Sequence, residues 1–326
     1  MKSPIRTLAS FVFAVGIVGS APSAAGEYPE RPVNIIVPLA AGGGADLMAR
    51  QLAQQLSEEW GQQVLVINRP GASTQIGADS VAKSKPDGYN LLFTSNPHTV
   101  NPGLFKTLPY DTEKDFAPIT LLAEVPLLLV AHPSLGVNSV KEVIALAKEK
   151  PGTINYSDSG IGGPGHMAME VLKYKTGTDM VHVPFKGTGQ ALPALLGGET
   201  QLSFASGIAT LPYIESGALK VLAVSGGHRI KSLPDVPTVA EAADIRDFAV
   251  VSWYGLLASA GTPKEVVDKI QATVAKALDT EAMSQLLEKS AGVKVASSPD
   301  EFAQFIHNEI ESYSEVIKAA NIVVEQ

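Results

Sequence analysis

The sequence predicts an α/β protein of two lobes, each a mostly parallel sheet flanked by helices. Three observations predict it. Short β-branched runs alternate with stretches of helical periodicity along most of the chain, and buried strands alternating with amphipathic helices form parallel sheets covered on both faces. A glycine-rich turn follows a strand and opens a helix twice, once in each half. The 326 residues leave room for about two domains, each with its own core.

The elements follow in order. The run 33–37 (VNIIV) ends at Pro38 and reads as a strand. After a glycine-rich turn, Leu47, Leu52, Leu56 and Trp60 recur at near-helical spacing. Residues 64–67 read as strand, 76–84 as helix and 91–93 as strand. A second set starts near Pro126, with strand 127–131, helix 139–149, strand 154–156, helix 165–176 and strand 180–184. Helix 188–196 and strands 201–205 and 220–225 complete it. Strand 250–258 and two or three closing helices follow, and these helices are expected to return to the first lobe. No repeat of about 20–50 residues points to a solenoid.

Composition narrows the function. A hydrophobic share of 45% excludes a disordered chain, and Gly 29 with Pro 22 is too little for a low-complexity or collagen-like one. A net charge of −8 and a pI near 5.3 argue against a nucleic-acid binder, which needs a basic face. The chain has no cysteine. Disulfides, thiolate nucleophiles, iron–sulfur clusters and cysteine zinc sites are therefore out, although the redox compartment is not fixed.

The first residues read as an address. Lys2 and Arg6 precede the apolar run 8–18, and Ser23-Ala24-Ala25 follows. This is the three-part pattern of a secretory signal peptide over 1–25, cleaved near Ala25. The run is shorter than the roughly 20 residues that span a bilayer. Losing Lys2 and Arg6 moves the charge from −8 to −10. An exported, acidic, cysteine-free protein of two lobes belongs in a bacterial periplasm.

Each half carries one chemically suggestive turn. The first is Pro38-Leu39-Ala40-Ala41-Gly42-Gly43-Gly44-Ala45-Asp46. It lies at the carboxyl end of a strand, where open α/β sheets bind ligands. Glycines admit close backbone approach, and the helix N-terminus offers free N–H groups and roughly half a positive charge. The alternative is a tight turn; in either case Asp46 is expected to cap the helix. The turn has neither the dinucleotide fingerprint Gly-x-Gly-x-x-Gly nor a phosphate-loop Gly-Lys-Ser/Thr. The second turn is Ser157-Asp158-Ser159-Gly160-Ile161-Gly162-Gly163-Pro164-Gly165-His166. Ser159 and the amides of Gly160, Gly162 and Gly163 could grip a carboxylate from the other side.

Catalytic constellations are weak. None of the six histidines lies in a His-Glu-x-x-His pattern, and no Gly-x-Ser-x-Gly elbow occurs. His166 is either a ligand donor or a helix-end residue. Ser95 and His98 follow the strand at 91–93, with cleft-lining and ordinary-loop readings equally open for His98. Phe185 and Lys186 sit in a further strand-to-helix turn, and Lys186 could draw an anion there or simply face water. Ser206 follows the strand at 201–205. His182 reads as structural. No residues suggest a metal or cofactor site, and no paired carboxylates suggest acid–base chemistry.

Ordered motifs carry a resemblance. Tyr28-Pro29-x-Arg31-Pro32-Val33 and Pro38-x-Ala40-Ala41-Gly42-Gly43-x-x-Asp46 open it. Asn68-Arg69-Pro70-Gly71-Ala72, Lys85-Pro86-Asp87-Gly88-Tyr89 and Leu108-Pro109-Tyr110-Asp111 continue it. His182-Val183-Pro184-Phe185-Lys186-Gly187, Leu233-Pro234-Asp235-Val236-Pro237-Thr238 and Gly261-Thr262-Pro263 complete it. From Tyr28 to Ile322 the chain resembles the Bug family, the extracytoplasmic solute-binding proteins of tripartite tricarboxylate transporters. The resemblance implies a Venus-flytrap fold, with 27–126 plus 247–326 in one lobe and 127–246 in the other. It implies a small organic carboxylate held by backbone amides, hydroxyls and water, with contacts over Pro38 to Asp46 and Ser159 to His166. Membrane transporter subunits are the implied partners of a monomeric receptor that is not an enzyme. Leu39 stands where the family usually has an aromatic, and Gly163-Pro164-Gly165 replaces a commoner serine-containing stretch. These departures suggest a roomier, less polar pocket for an aromatic or dicarboxylic acid. The lobes are expected to swing about Glu124-Val125-Pro126 and Ser252-Trp253-Tyr254. Two other readings remain: an exported hydrolase using Ser159 and His166, and a ligand sensor for a two-component receptor.

Overall fold

The computed structural model describes residues 28–158, 160–185 and 187–322; the expected leader and its cleavage site near Ala25 lie outside them, as do Ser159 and Lys186. The elements run β1 (Val33–Val37), α1 (Gly44–Trp60), β2 (Val64–Asn68), α2 (Gln75–Ala82), β3 (Asn90–Thr94), α3 (Pro97–Leu104) and β4 (Phe116–Ala131). Then come α4 (Val140–Glu149), β5 (Asn155–Asp158), α5 (Pro164–Thr176), β6 (Val181–Pro184), α6 (Thr188–Leu196), β7 (Leu202–Ser206), α7 (Gly207–Glu215) and β8 (Lys220–Val224). The chain continues with α8 (Val239–Ala243), β9 (Val251–Ser259), α9 (Lys264–Ala277), α10 (Glu281–Lys289), β10 (Val293–Lys294) and α11 (Pro299–Ala319).

The sheet order is β2-β1-β3-β9-β4-β7-β5-β6, with β10 and β8 both pairing β4. Each lobe owns one half of this curled sheet. The outer strands are parallel as expected, β1 with β2 and β3, and β5 with β6 and β7. The two strands that cross between the halves are antiparallel to their neighbours, so the sheets are mixed. Each crossing strand must run back from one half to the other, which reverses its direction.

The largest difference from the sequence reading is β4. Only 127–131 is expected as strand, yet the strand runs from Phe116 to Ala131. Its first part pairs β9 and its last part pairs β7 and β8, so one strand belongs to both halves. Pro118 and Pro126 disguise it, because proline normally argues against a strand interior. Register shifts between Pro118 and Thr120 and between Leu121 and Ala123 bend it. The two segments expected as hinges are direct partners: Glu124 pairs Trp253, Val125 pairs Ser252 and Pro126 pairs Val251.

Three helices escape the sequence reading: α3, α7 and α8. α3 and α7 contain Pro102 and Pro212, and α8 is only five residues long. Proline removes a helical donor and hides the pattern, and a single turn has no periodicity to read.

The cores explain the layers. Ile35, Leu52, Leu91, Leu256 and Ile270 close one core between the first half-sheet, α1 and α9. Leu129, Tyr156, Met167, Leu172 and Leu202 close another around α5. α9 and α10 return to the first half as expected. α11 does more. Its Phe302 and Ile306 pack beside Trp253, while Tyr313, Val316 and Ile317 join the core of the second half. Gly255 lets it lie close, since a Cβ there would stand 2.1 Å from the Phe302 ring. Among the described residues no helix is long and apolar enough to cross a membrane.

Candidate functional site

The first turn is built from behind. Residues 40–44 are exposed, whereas Asp46 is buried. The helix N-cap is Gly43, not Asp46, which is a correction to the expected cap. Asp46 is the third helical residue, and its side chain reaches back to accept the Gly42 amide hydrogen at 2.9 Å. Arg50 donates to the same oxygen at 3.0 Å, and Asn68 donates to the other at 2.9 Å. The Arg50 hydrogen bond leads in holding the Asp46 carboxyl down at about 2. Gly42 has a φ of +85°, which a side chain would strain. Both Asp46 oxygens are thus engaged by protein, and the surface offered to a ligand is backbone. Pro38 is a packing residue: a Cβ on Gly77 would stand 2.7 Å from its ring.

The second turn repeats this design. Asp158 accepts the Gly160 amide hydrogen and pairs with His182. The His182 ring stacks on His166 with centroids 4.1 Å apart, and Tyr156 stacks against both, 5.0 Å from His182 and 6.5 Å from His166. Tyr156 in turn bonds Glu170, which Lys173 holds at 2.7 Å. His166 is buried, and its Nδ1 accepts the Gly162 amide hydrogen at 3.1 Å. The proton therefore sits on Nε2, and the ring is a brace for the turn. The turn also spells Gly160-x-Gly162-x-x-Gly165. The last glycine has the packing role such a spacing gives it, because a Cβ there would meet the Phe204 carbonyl oxygen at 2.5 Å.

With N-caps Gly43 and Gly163, α1 and α5 start without a side-chain cap, as α2, α3, α6, α7 and α9 also do; what sets the two apart is the glycine-rich turn that leads into each. In contrast, Ser139, Thr238, Thr280 and Ser298 cap α4, α8, α10 and α11. An uncapped N-terminus leaves its N–H groups for a ligand, and its dipole favours an anion.

The crossing ribbon brings the two turns to one face. On β4 and β9 successive side chains alternate between faces. Val125, Leu127, Ser252 and Tyr254 line a cavity of about 140 Å³ that Asp158, Pro164 and Gly165 also border. Tyr254 reaches the first turn, since a Cβ on Gly44 would lie 2.9 Å from its hydroxyl. One tyrosine thus touches the start of α1 and the cavity beside the start of α5. Glu124, Pro126 and Val251 face the other way, onto a larger groove of about 700 Å³ with residues 226–232 and α10. No uncapped N-terminus of α1 or α5 borders that groove, so the smaller cavity is the chemically equipped one.

The remaining expected site residues divide. Ser95 is nearly buried, and its carbonyl accepts the His98 amide hydrogen at 2.9 Å. His98 does not line the cleft, which corrects that expectation. It is 1% exposed and lies among Tyr110 and Phe116, with ring centroids 6.3 and 5.0 Å away. The α3 helix, unseen in the sequence, turns it inward. Phe185 is half-buried beside the second turn, where its carbonyl oxygen lies 3.8 Å from a Cβ placed on Gly160. Ser206 is half-buried at the start of α7 and borders the cavity. Arg50, Asn68, Asp158, His182 and Tyr254 brace the site without having been expected in it. The spacing of Asp46 and Arg50 by four residues was the one readable signal among them.

Burial sets an acid limit on this arrangement. Desolvation pushes both His98 and His166 down to about 4, from an ordinary value of 6.5. Between those values the unfolded chain binds more protons than the folded one, so stability falls as pH drops from about 6.5 to about 4. The expected loss is about 3 kcal/mol per histidine. Denaturant unfolding across that range checks it, and His98→Leu should remove about half of the slope.

Comparison with known proteins then decides the kinship. Residues 48–322 match the tripartite tricarboxylate transporter family receptor. The chain belongs to this receptor family. It is 34% identical over 320 residues to the protein BugT of Bordetella pertussis, covering 98% of this chain and 97% of that one. The adipate-bound Rpa4515 structure of R. palustris superposes with a TM-score of 0.79 at 34% identity, over 91% of this chain and 99% of that one. MatC of Rhodopseudomonas palustris, with bound malate, gives a TM-score of 0.76 at 31% identity, over 89% and 100%. The periplasmic binding protein BugD gives 0.76 at 32% identity, over 91% and 100%. Receptors of this family are periplasmic solute-binding proteins of two lobes rather than enzymes, and the two turns described above belong to such a receptor.

Proposed function

We propose that the chain is exported, loses its leader near Ala25, and acts in the periplasm as a monomeric receptor. It captures a small organic carboxylate between its lobes and delivers it to a tripartite tricarboxylate membrane transporter. The lobes are 27–126 with 247–326, and 127–246, with α11 clasping both. The observation that carries this reading is the pair of uncapped helix N-termini, α1 and α5, at the two ends of Tyr254's reach. An anion placed there meets backbone N–H groups and helix dipoles from both lobes. The adipate and malate held by the structural relatives support a carboxylate.

Ala40, Ala41, Gly42 and Gly43 form the first wall, with Ser95 behind it. Gly160, Gly162 and Gly163 form the second, with Phe185 and Ser206 around it. A ligand bridging both walls favours the closed form. Capture for transport needs roughly micromolar affinity, about −8 kcal/mol. Saturating ligand, at about 100 times its dissociation constant, should add about 2.7 kcal/mol to stability. Thermal melting against a panel of organic acids tests this. A midpoint that no carboxylate moves would sink the reading.

The hydrolase alternative asks His166 to act as a base on Ser159. With Nδ1 accepting from Gly162 and the proton on Nε2, the ring has no free lone pair for that task. The sensor alternative shares the same ligand site and differs only in the membrane partner.

A further inference from the structure

The cavity beside the second turn says more than that a carboxylate binds. It runs into the second lobe, under α6 and α7, where Leu127, Ala191, Leu192, Leu195, Ala205 and Ala209 make most of its wall and the hydroxyl-bearing Thr188, Ser203, Ser206 and Ser252 border the rest. At its mouth stand the start of α5 and the Tyr254 hydroxyl, where the carboxylate would rest. Its volume is about 140 Å³. A dry apolar cavity of about 150 Å³ takes up benzene, so a phenyl ring or a short alkyl chain fits here.

The charges on its border point the same way. Asp158 is the one carboxylate lining the cavity among the described residues. It is buried and already bonded to His182 and the Gly160 amide. No described lysine or arginine lines this space. A second carboxylate would enter a mostly apolar space beside a buried anion and without a cation, which is strongly unfavourable.

We infer that the cavity under α6 and α7 is a subsite for an uncharged apolar substituent, which makes the receptor selective for monocarboxylates with an aryl or alkyl body. This rests on the carboxylate reading above and separates the two acid classes that the sequence left open. Selectivity follows from area: each buried methylene strengthens binding about three- to fourfold.

Titration calorimetry of the mature protein with butanoate, hexanoate, benzoate, adipate and malate tests it. Hexanoate should bind about tenfold more tightly than butanoate, benzoate should also exceed butanoate, and adipate should bind at least tenfold more weakly than hexanoate. Adipate or malate matching hexanoate and benzoate would overturn the inference and leave the carboxylate reading standing. Failure of all five acids would count against the carboxylate reading itself, and the inference would fall with it. Ala209→Leu fills the cavity from α7. It should bring the hexanoate-to-butanoate ratio close to one, and an unchanged ratio would overturn the inference.

Discussion

Asp46→Ala should weaken carboxylate capture at least 100-fold and lower stability by about 3 kcal/mol. The side chain makes three hydrogen bonds to the turn and its support, from Gly42, Arg50 and Asn68. Hydrogen bonds to a charged group contribute about 1.5–3 kcal/mol each, and buried donors left without a partner cost more than the bond gained. Water entering the vacated space returns part of that loss. The larger effect falls on binding. Without the pull on its amide, Gly42 no longer holds the φ of +85° that turns residues 40–43 toward the cleft. Calorimetry gives the affinity and denaturant unfolding gives the stability. Arg50→Ala should be milder, because the Arg50 side chain is 50% exposed and Asn68 and Gly42 remain. The sign with pH follows from the lowered carboxyl. The contribution of Asp46 is complete above about 4 and is lost as pH falls toward about 2.

Gly165→Ala should act on the opposite wall with comparable force. The added methyl would stand 2.5 Å from the Phe204 carbonyl oxygen, a backbone atom of β7 that has no rotamer to escape into. α5 must move off the sheet. Overpacking of this kind typically costs 1–3 kcal/mol. The motion also shifts the α5 N-terminus and the apolar cavity it borders, so affinity should fall at least tenfold. Gly189→Ala is the comparison, since nothing lies within 4 Å of a Cβ there. It should leave the unfolding midpoint in place. Equal midpoints for the two variants would contradict the packing role assigned to Gly165.

Both predictions concern residues whose importance was unevenly legible. The backbone surfaces were readable, because three consecutive glycines after a strand and before a helix have few other uses. Asp46 was readable as important but not in its role. Its sequence position fits an N-cap, and only the start of α1 at Gly44 shows that it reaches back from inside the helix. His98 follows a strand and so looks like a cleft residue. It is turned away because α3 forms there, against a core that joins Tyr110 and Phe116 from later in the chain. Asp158 and His182 are 24 residues apart and meet only because β5 and β6 pair in register.

The sequence by itself determined the alternation of strands and helices and the two glycine turns. These are local or periodic properties, set by φ/ψ preference and by which face of an element is apolar. Tertiary structure decided the rest: that β4 crosses both halves, that α11 clasps them, that buried carboxylates hold each turn from behind, and that the cavity under α6 is mostly apolar with an anion at its edge. Each of these depends on contacts between residues far apart in the chain, and a side chain's burial and partners, unlike its helix or strand preference, are not written in its neighbours.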